Sequence, residues 1–141
     1  MSERVEVSVF IPTYNGGPLF ERVLSGIFDQ EIDVPFEVIC IDSGSTDETL
    51  DIMSRYPVRR IDIDKSEFNH GLTRNRGAKE ARGDILILTV QDAVPVGRDW
   101  MRTMISNFDD PEVAGVYCHQ VPREDCPPFL RDRLKLSLIH I

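Results

Sequence analysis

The chain has 141 residues, 41% of them hydrophobic and 28% charged, a composition of globular domains rather than of disordered or membrane-spanning chains. Sixteen Lys and Arg against 24 Asp and Glu give a net charge of −8, which argues against non-specific binding of nucleic acid or anionic lipid. The three cysteines (Cys40, Cys118, Cys126) lack zinc-site spacing, so reduced thiols and a cytoplasmic location are expected.

Residues 1–6 carry no apolar leader, and no apolar stretch reaches the roughly 20 residues a spanning helix needs, so no transmembrane segment is expected. The first apolar run, Val7 to Ile11, is β-branched and stops at Pro12, which predicts a buried strand followed by a Thr13 to Gly17 loop. Phe20, Val23, Leu24, Ile27 and Phe28 recur at helical spacing after Pro18, predicting a helix to Asp29 with one buried face. Phe36 to Ile41 predicts a second strand, and the loop after it leads into a helix with candidate caps at Ser45 and Thr46.

Pro57 ends that helix, and Val58 to Ile63 predicts a third strand. Leu72 to Arg82 is helix-compatible, with Ala78 and Ala81 small enough for close packing and Gly83 as a stop. Ile85 to Val90 is apolar on both alternations, as a central strand covered on two faces requires. A helix from Arg98 to Phe108 and a short strand from Val113 to Tyr117 follow. Repeated strand-loop-helix units predict an open, doubly wound α/β sheet with ligands at the C-terminal strand ends.

The phosphate-loop and dinucleotide fingerprints are absent, since no Walker lysine follows Gly16-Gly17. There is no nucleophile elbow, and His70, His119 and His140 have no metal-ligand spacing. What remains are polar blocks after the strands: Ile11-Pro12-Thr13-Tyr14-Asn15, Asp42-Ser43-Gly44-Ser45-Thr46-Asp47, and Arg74-Asn75-Arg76-Gly77-Ala78 before Gly83-Asp84. In that order and spacing they resemble family 2 glycosyltransferases. Phe68-Asn69-His70-Gly71, Thr89 to Pro95 and Val116 to Arg123 look like the rhamnosyltransferase branch. The resemblance covers about Val7 to Pro128.

The resemblance implies a GT-A-type fold, an open and mostly parallel sheet with helices on both faces. It makes residues 1–128 the nucleotide-sugar (donor) binding part and 129–141 a truncated, non-native tail. Thr13, Tyr14 and Asn15 would line the base, although Asn15-Gly16 also reads as a plain turn. Asp42 would reach the base or ribose, or else cap the next helix. Ser43 stands where the family commonly has a second acid. Arg74 would neutralise the donor phosphates, unless it is simply an exposed helix residue. Asn75 would brace the loop, and Asn69 with Gly71 would shape the pocket floor.

After the strand that ends near Val90, the family places two carboxylates flanking one residue to hold a divalent metal. Here the triplet reads Val90-Gln91-Asp92, or one residue earlier when counted back from Pro95. Asp92 alone matches a metal ligand, with Gln91 beside it on the donor, and Asp92 also reads as a cap for the helix after Pro95. Mg²⁺ or Mn²⁺ is therefore expected mainly when donor is present.

The implied reaction is inverting transfer of a sugar, with dTDP-rhamnose favoured as donor, to a glycan or lipid-linked acceptor at the inner face of the membrane. No residue is assigned as the acceptor's base, which the family places in a C-terminal half, so the chain alone is expected to bind donor weakly and transfer poorly. The rivals are a non-catalytic nucleotide-sugar-binding module and a sugar nucleotidyltransferase. The latter requires basic residues in the first loop that Tyr14 to Pro18 lacks.

Overall fold

The computed structural model describes residues 4–136. The chain forms two compact units, the first ending at Ile105 and the second beginning at Ser106. Position 128, the boundary expected from the sequence, is the first residue of a helix. The first unit contains β1 (Val7–Thr13), α1 (Gly17–Phe28), β2 (Phe36–Asp42), α2 (Thr49–Ser54), β3 (Val58–Asp62), α3 (His70–Glu80), β4 (Ile85–Leu88) and α4 (Trp100–Ile105). A 3-10 turn, Lys65–Glu67, leads into α3.

The strands form one parallel sheet in the order β3-β2-β1-β4. Residues alternate between its faces, so each face of β1 makes a different core. Val7, Val9 and Ile11 join Val38, Cys40 and Ile87 beneath Phe20, Val23, Leu24 and Ile27 of α1, Ile52 and Met53 of α2, and Met101 of α4. Phe10, Ile39 and Ile41 make the opposite core with Ile63 and Phe68, on the face where α3 lies against the Phe10 ring. Helices therefore cover both faces, as the alternating pattern requires.

The close-packing residue of α3 is Gly77, not Ala78. A Cβ on Gly77 would stand 2.4 Å from the Phe10 ring, whereas Ala78 is exposed. Nor does Gly83 act as a stop for α3. The helix ends at Glu80, with Ala81 as its extended C-cap, and a Cβ on Gly83 would meet β1 main chain at 2.7 Å. That glycine allows the strand to pass close by.

Among the described residues β4, the strand expected to be central, pairs with β1 alone, and its Leu88 is 51% exposed. Apolar alternation reports affinity for a covered face but not the number of strand neighbours. Ladder pairing ends at Leu88, with Thr89 N–H still donating to Phe10 O at 3.1 Å. The sheet thus changes winding direction between β1 and β4, a topological switch point that opens a crevice at the C-terminal strand ends.

The second unit holds a 3-10 turn, Ser106–Asp109, and α5 (Pro128–Leu136). Among the described residues, the strand expected over 113–117 joins no ladder. Tyr117 is 67% exposed and Gly115 faces open space, while Val113 and Val116 are half-buried. The expected non-native tail begins within α5, and its run from Ser137 to Ile141 lies outside the described residues. No described helix is long and apolar enough to cross a membrane.

Candidate functional site

Thr13 and Asp42 end β1 and β2 in register, so the loops that follow leave the sheet side by side. Asp42 is 1% exposed, and its carboxylate is occupied by the protein itself. Oδ1 accepts from Thr13 Oγ1 at 2.9 Å and Ser45 Oγ at 2.6 Å, while Oδ2 accepts from the Gly44 and Ser45 N–H groups at 3.0 and 2.8 Å. These bonds use the roughly four acceptor sites of a carboxylate. The expected reach of Asp42 to a base gives way to a role as the hub of the two loops.

Asn15 completes this latch. It adopts φ 46°, a left-handed conformation that asparagine tolerates better than most residues. Its N–H donates to Ser45 Oγ and its Oδ1 accepts from Thr46 N–H, at 2.9 and 2.8 Å. Ser45 and Thr46 are thus spent on the latch and do not cap α2. The orphan N–H groups at the start of α1 are filled from the second loop. Gly17 N–H donates to Asp47 Oδ2 at 3.0 Å and Gly16 N–H to Thr49 Oγ1 at 2.8 Å. The start of α1, the phosphate seat of dinucleotide folds, is therefore closed by protein groups.

Ser43, where the resemblance expects a second acid, is nearly buried, with its N–H and Oγ–H both donating to Thr13 O at 3.0 and 3.2 Å. Its oxygen lone pairs remain for the cavity that Ser43 lines. That cavity, about 310 Å³, is bounded by Thr13, Tyr14 and Ser43 from the first two loops and by Val90 and Gln91 after β4. Lys65, Phe68, His70 and Arg74 close the remaining side. A larger open depression, about 470 Å³, lies along α1 at Glu21, Arg22 and Gly26, away from the strand ends. The switch-point cavity has the convergent polar groups and apolar walls of a ligand site, so it is the candidate here.

Of the residues singled out from the sequence, Thr13, Tyr14, Ser43, Arg74 and Gln91 share this cavity, and Asn15, Asp42, Asn69, Gly71, Asn75 and Asp92 are not in its wall. Asn69 instead caps α3, its Oδ1 accepting from the Gly71 and Leu72 N–H groups at 3.0 and 3.1 Å. Asn75 is exposed on α3. Gln91 grips the main chain of Tyr14, Oε1 accepting from Tyr14 N–H at 2.8 Å and Nε2 donating to Tyr14 O at 3.0 Å.

Sequence reasoning missed Lys65, Phe68, His70 and Val90 as wall residues. The signal for Lys65 was local: Asp64, Ser66 and Glu67 form a capping box, which fixes the turn that carries the lysine. The ammonium of Lys65 donates to Tyr14 Oη at 2.7 Å and lies 4.4 Å from the ring centroid.

The open parallel sheet with helices on both faces matches the GT-A-type fold of solved glycosyltransferase structures. A profile of "Glycosyl transferase family 2" matches residues 8–139, and the chain belongs to that family. It is 39% identical over 127 residues to the O-antigen chain rhamnosyltransferase RfbN of Salmonella typhimurium, covering 89% of this chain and 40% of that protein. It is 36% identical over 123 residues to the O-antigen chain rhamnosyltransferase WbaN of Salmonella anatum, covering 86% of this chain and 39% of that one. The chain thus spans about 40% of the length of these relatives. A mannosyltransferase of Pyrobaculum calidifontis, solved with GDP-Man and Mn²⁺, superposes with a TM-score of 0.72 at 30% identity, over 86% of this chain and 37% of that one.

Proposed function

We propose that this chain supplies the donor site of an inverting glycosyltransferase that transfers rhamnose from dTDP-rhamnose to a glycan or lipid-linked acceptor on the cytoplasmic side of a membrane. The observation that carries the proposal is the convergence of Thr13, Tyr14, Ser43, Arg74 and Gln91 on one cavity at the β1/β4 switch point. The Tyr14 ring offers a flat surface for a pyrimidine, the Ser43 oxygen an acceptor for a base N–H, and the Arg74 guanidinium a partner for diphosphate oxygens. The rhamnosyltransferase names of two relatives support the sugar.

The residues present do not form a metal cage. No carboxylate lines the cavity, Val90 does, and no group of three acidic, His or Cys side chains that could hold a metal occurs among the described residues. Asp92, next in the chain after Gln91, lies outside the cavity wall, so a Mg²⁺ or Mn²⁺ ion would be held chiefly by the donor's phosphates. Such an ion would supply charge stabilisation to the departing diphosphate. The Mn²⁺ in the mannosyltransferase structure supports this reading.

The test is calorimetric titration of the chain with dTDP, UDP and GDP, with and without Mn²⁺. Tightest binding of dTDP is expected, and failure to bind any pyrimidine nucleotide, by a chain shown to be folded, would overturn the proposal.

A further inference from the structure

We infer that Lys65 is a second diphosphate-binding cation, and that with Arg74 it lets the cavity hold a nucleoside diphosphate without a divalent metal. The inference rests on the donor-site reading above and starts from the pairing of charges. In this acidic chain Arg4, Arg55, Arg59, Arg60, Arg98 and Arg123 all meet carboxylates. Lys65 and Arg74 do not, and among the described cations without an ion pair, which include Arg22, Arg76, Lys79, Arg82 and Arg102, these two line the cavity. Among the described residues, Lys65 bonds Tyr14 Oη and Arg74 bonds His70 O at 3.1 Å, both neutral acceptors. Two cations thus face one cavity without a counter-charge of their own.

The turn that carries Lys65 explains why its acidic neighbours leave it unpaired. Asp64 Oδ1 accepts from Ser66 N–H and Oγ–H at 2.8 and 2.6 Å, and Glu67 Oε2 accepts from Asp64 N–H at 2.9 Å. Both carboxylates are engaged within the turn, and the lysine stem extends to the cavity. A phenol oxygen is a weak partner for an ammonium, so an incoming diphosphate oxygen displaces it readily. Val90 lines the same cavity at the position where the family resemblance expects the first metal-holding acid. Lys65 and Arg74 therefore bring positive charge to a cavity wall that holds no carboxylate. Lys65 gives up its bond to Tyr14 and takes one to the donor.

The experiment is an NMR titration of the chain with dTDP and UDP and with their nucleosides thymidine and uridine, in EDTA and again in Mn²⁺. Wild type is compared with Lys65→Met, Lys65→Gln and Tyr14→Phe. Wild type should bind the diphosphates in EDTA. Both Lys65 variants should weaken diphosphate binding about tenfold, the loss of one charge-assisted contact, and leave nucleoside binding unchanged. Tyr14→Phe removes the neutral acceptor but not the cation, and should keep the gain of diphosphate over nucleoside.

Equal loss for nucleoside and diphosphate would show that Lys65 only positions Tyr14, and would overturn the inference. So would unchanged diphosphate affinity in folded variants, or wild-type binding that exists in Mn²⁺ and vanishes in EDTA. Wild type that binds no nucleotide in either buffer would overturn the donor-site reading itself.

Discussion

Gln91 holds Tyr14 by both main-chain groups, accepting from its N–H at 2.8 Å and donating to its carbonyl at 3.0 Å, so the loop after β4 sets the position of the loop after β1. The amide is spent on the wall and not on a ligand. Gln91→Ala should therefore lower nucleotide affinity about tenfold through loss of two neutral hydrogen bonds, with little change in melting temperature. Gln91→Glu should do at least as much harm, because a carboxylate oxygen would then face the Tyr14 carbonyl. Paired calorimetric and thermal-melt measurements separate the two effects.

Asp42 is predicted to act on stability before ligand binding. Asp42→Asn replaces an acceptor in a nearly buried site where two hydroxyls and two N–H groups converge. It should cost about 2–3 kcal/mol, the range for hydrogen bonds to a charged group. Denaturant unfolding should show a lower midpoint with an unchanged slope.

Gly77→Ala tests the packing of α3 on the second core. The added methyl would lie 2.4 Å from Phe10 Cδ2, so either the ring or the helix must shift. A loss of about 1–3 kcal/mol is expected, offset little by alanine's better helix propensity. Ala78→Gly, at an exposed position on the same helix, should cost only about 1 kcal/mol.

Glu37 links stability to pH. Burial works to raise its pKa, but hydrogen bonds from Ser8 Oγ and Arg82 N–H, both 2.8 Å, and the Arg59 charge outweigh it and hold the carboxyl below its ordinary 4.5. A lowered folded-state pKa contributes stability that is fully present above the unfolded value and is lost as pH falls through the folded one. Glu37→Gln should thus be less stable than wild type at neutral pH. The difference should shrink below about pH 4, as urea titrations at several pH values would show.

Much of the fold was legible because its determinants are local. The spacing from Phe20 to Phe28 and the β-branched runs at Val7 and Phe36 specify buried faces, and α1 and β2 form where expected, while β1 runs on through the expected stop at Pro12 to Thr13. The place of β4 beside β1 was not legible, since strand order depends on long-range pairing. Over 113–117 no ladder forms among the described residues. At the site, the blocks marked the right loops but not the division of labour within them. Asp42 and Asn15 bind protein, Ser43 and Gln91 reach the cavity wall, and Lys65 arrives from a turn whose capping box was overlooked. Direction of a side chain depends on which neighbours compete for it, and that competition is set by the register of β1 against β2.

The most direct test of the account is backbone NMR of the ¹⁵N-labelled chain titrated with dTDP. The account predicts saturable shift changes centred on Tyr14, Ser43, Lys65, Arg74 and Gln91, the wall of the switch-point cavity. Changes centred instead on Glu21, Arg22 and Gly26 of the α1 depression, or no saturable change in a folded chain, would contradict it.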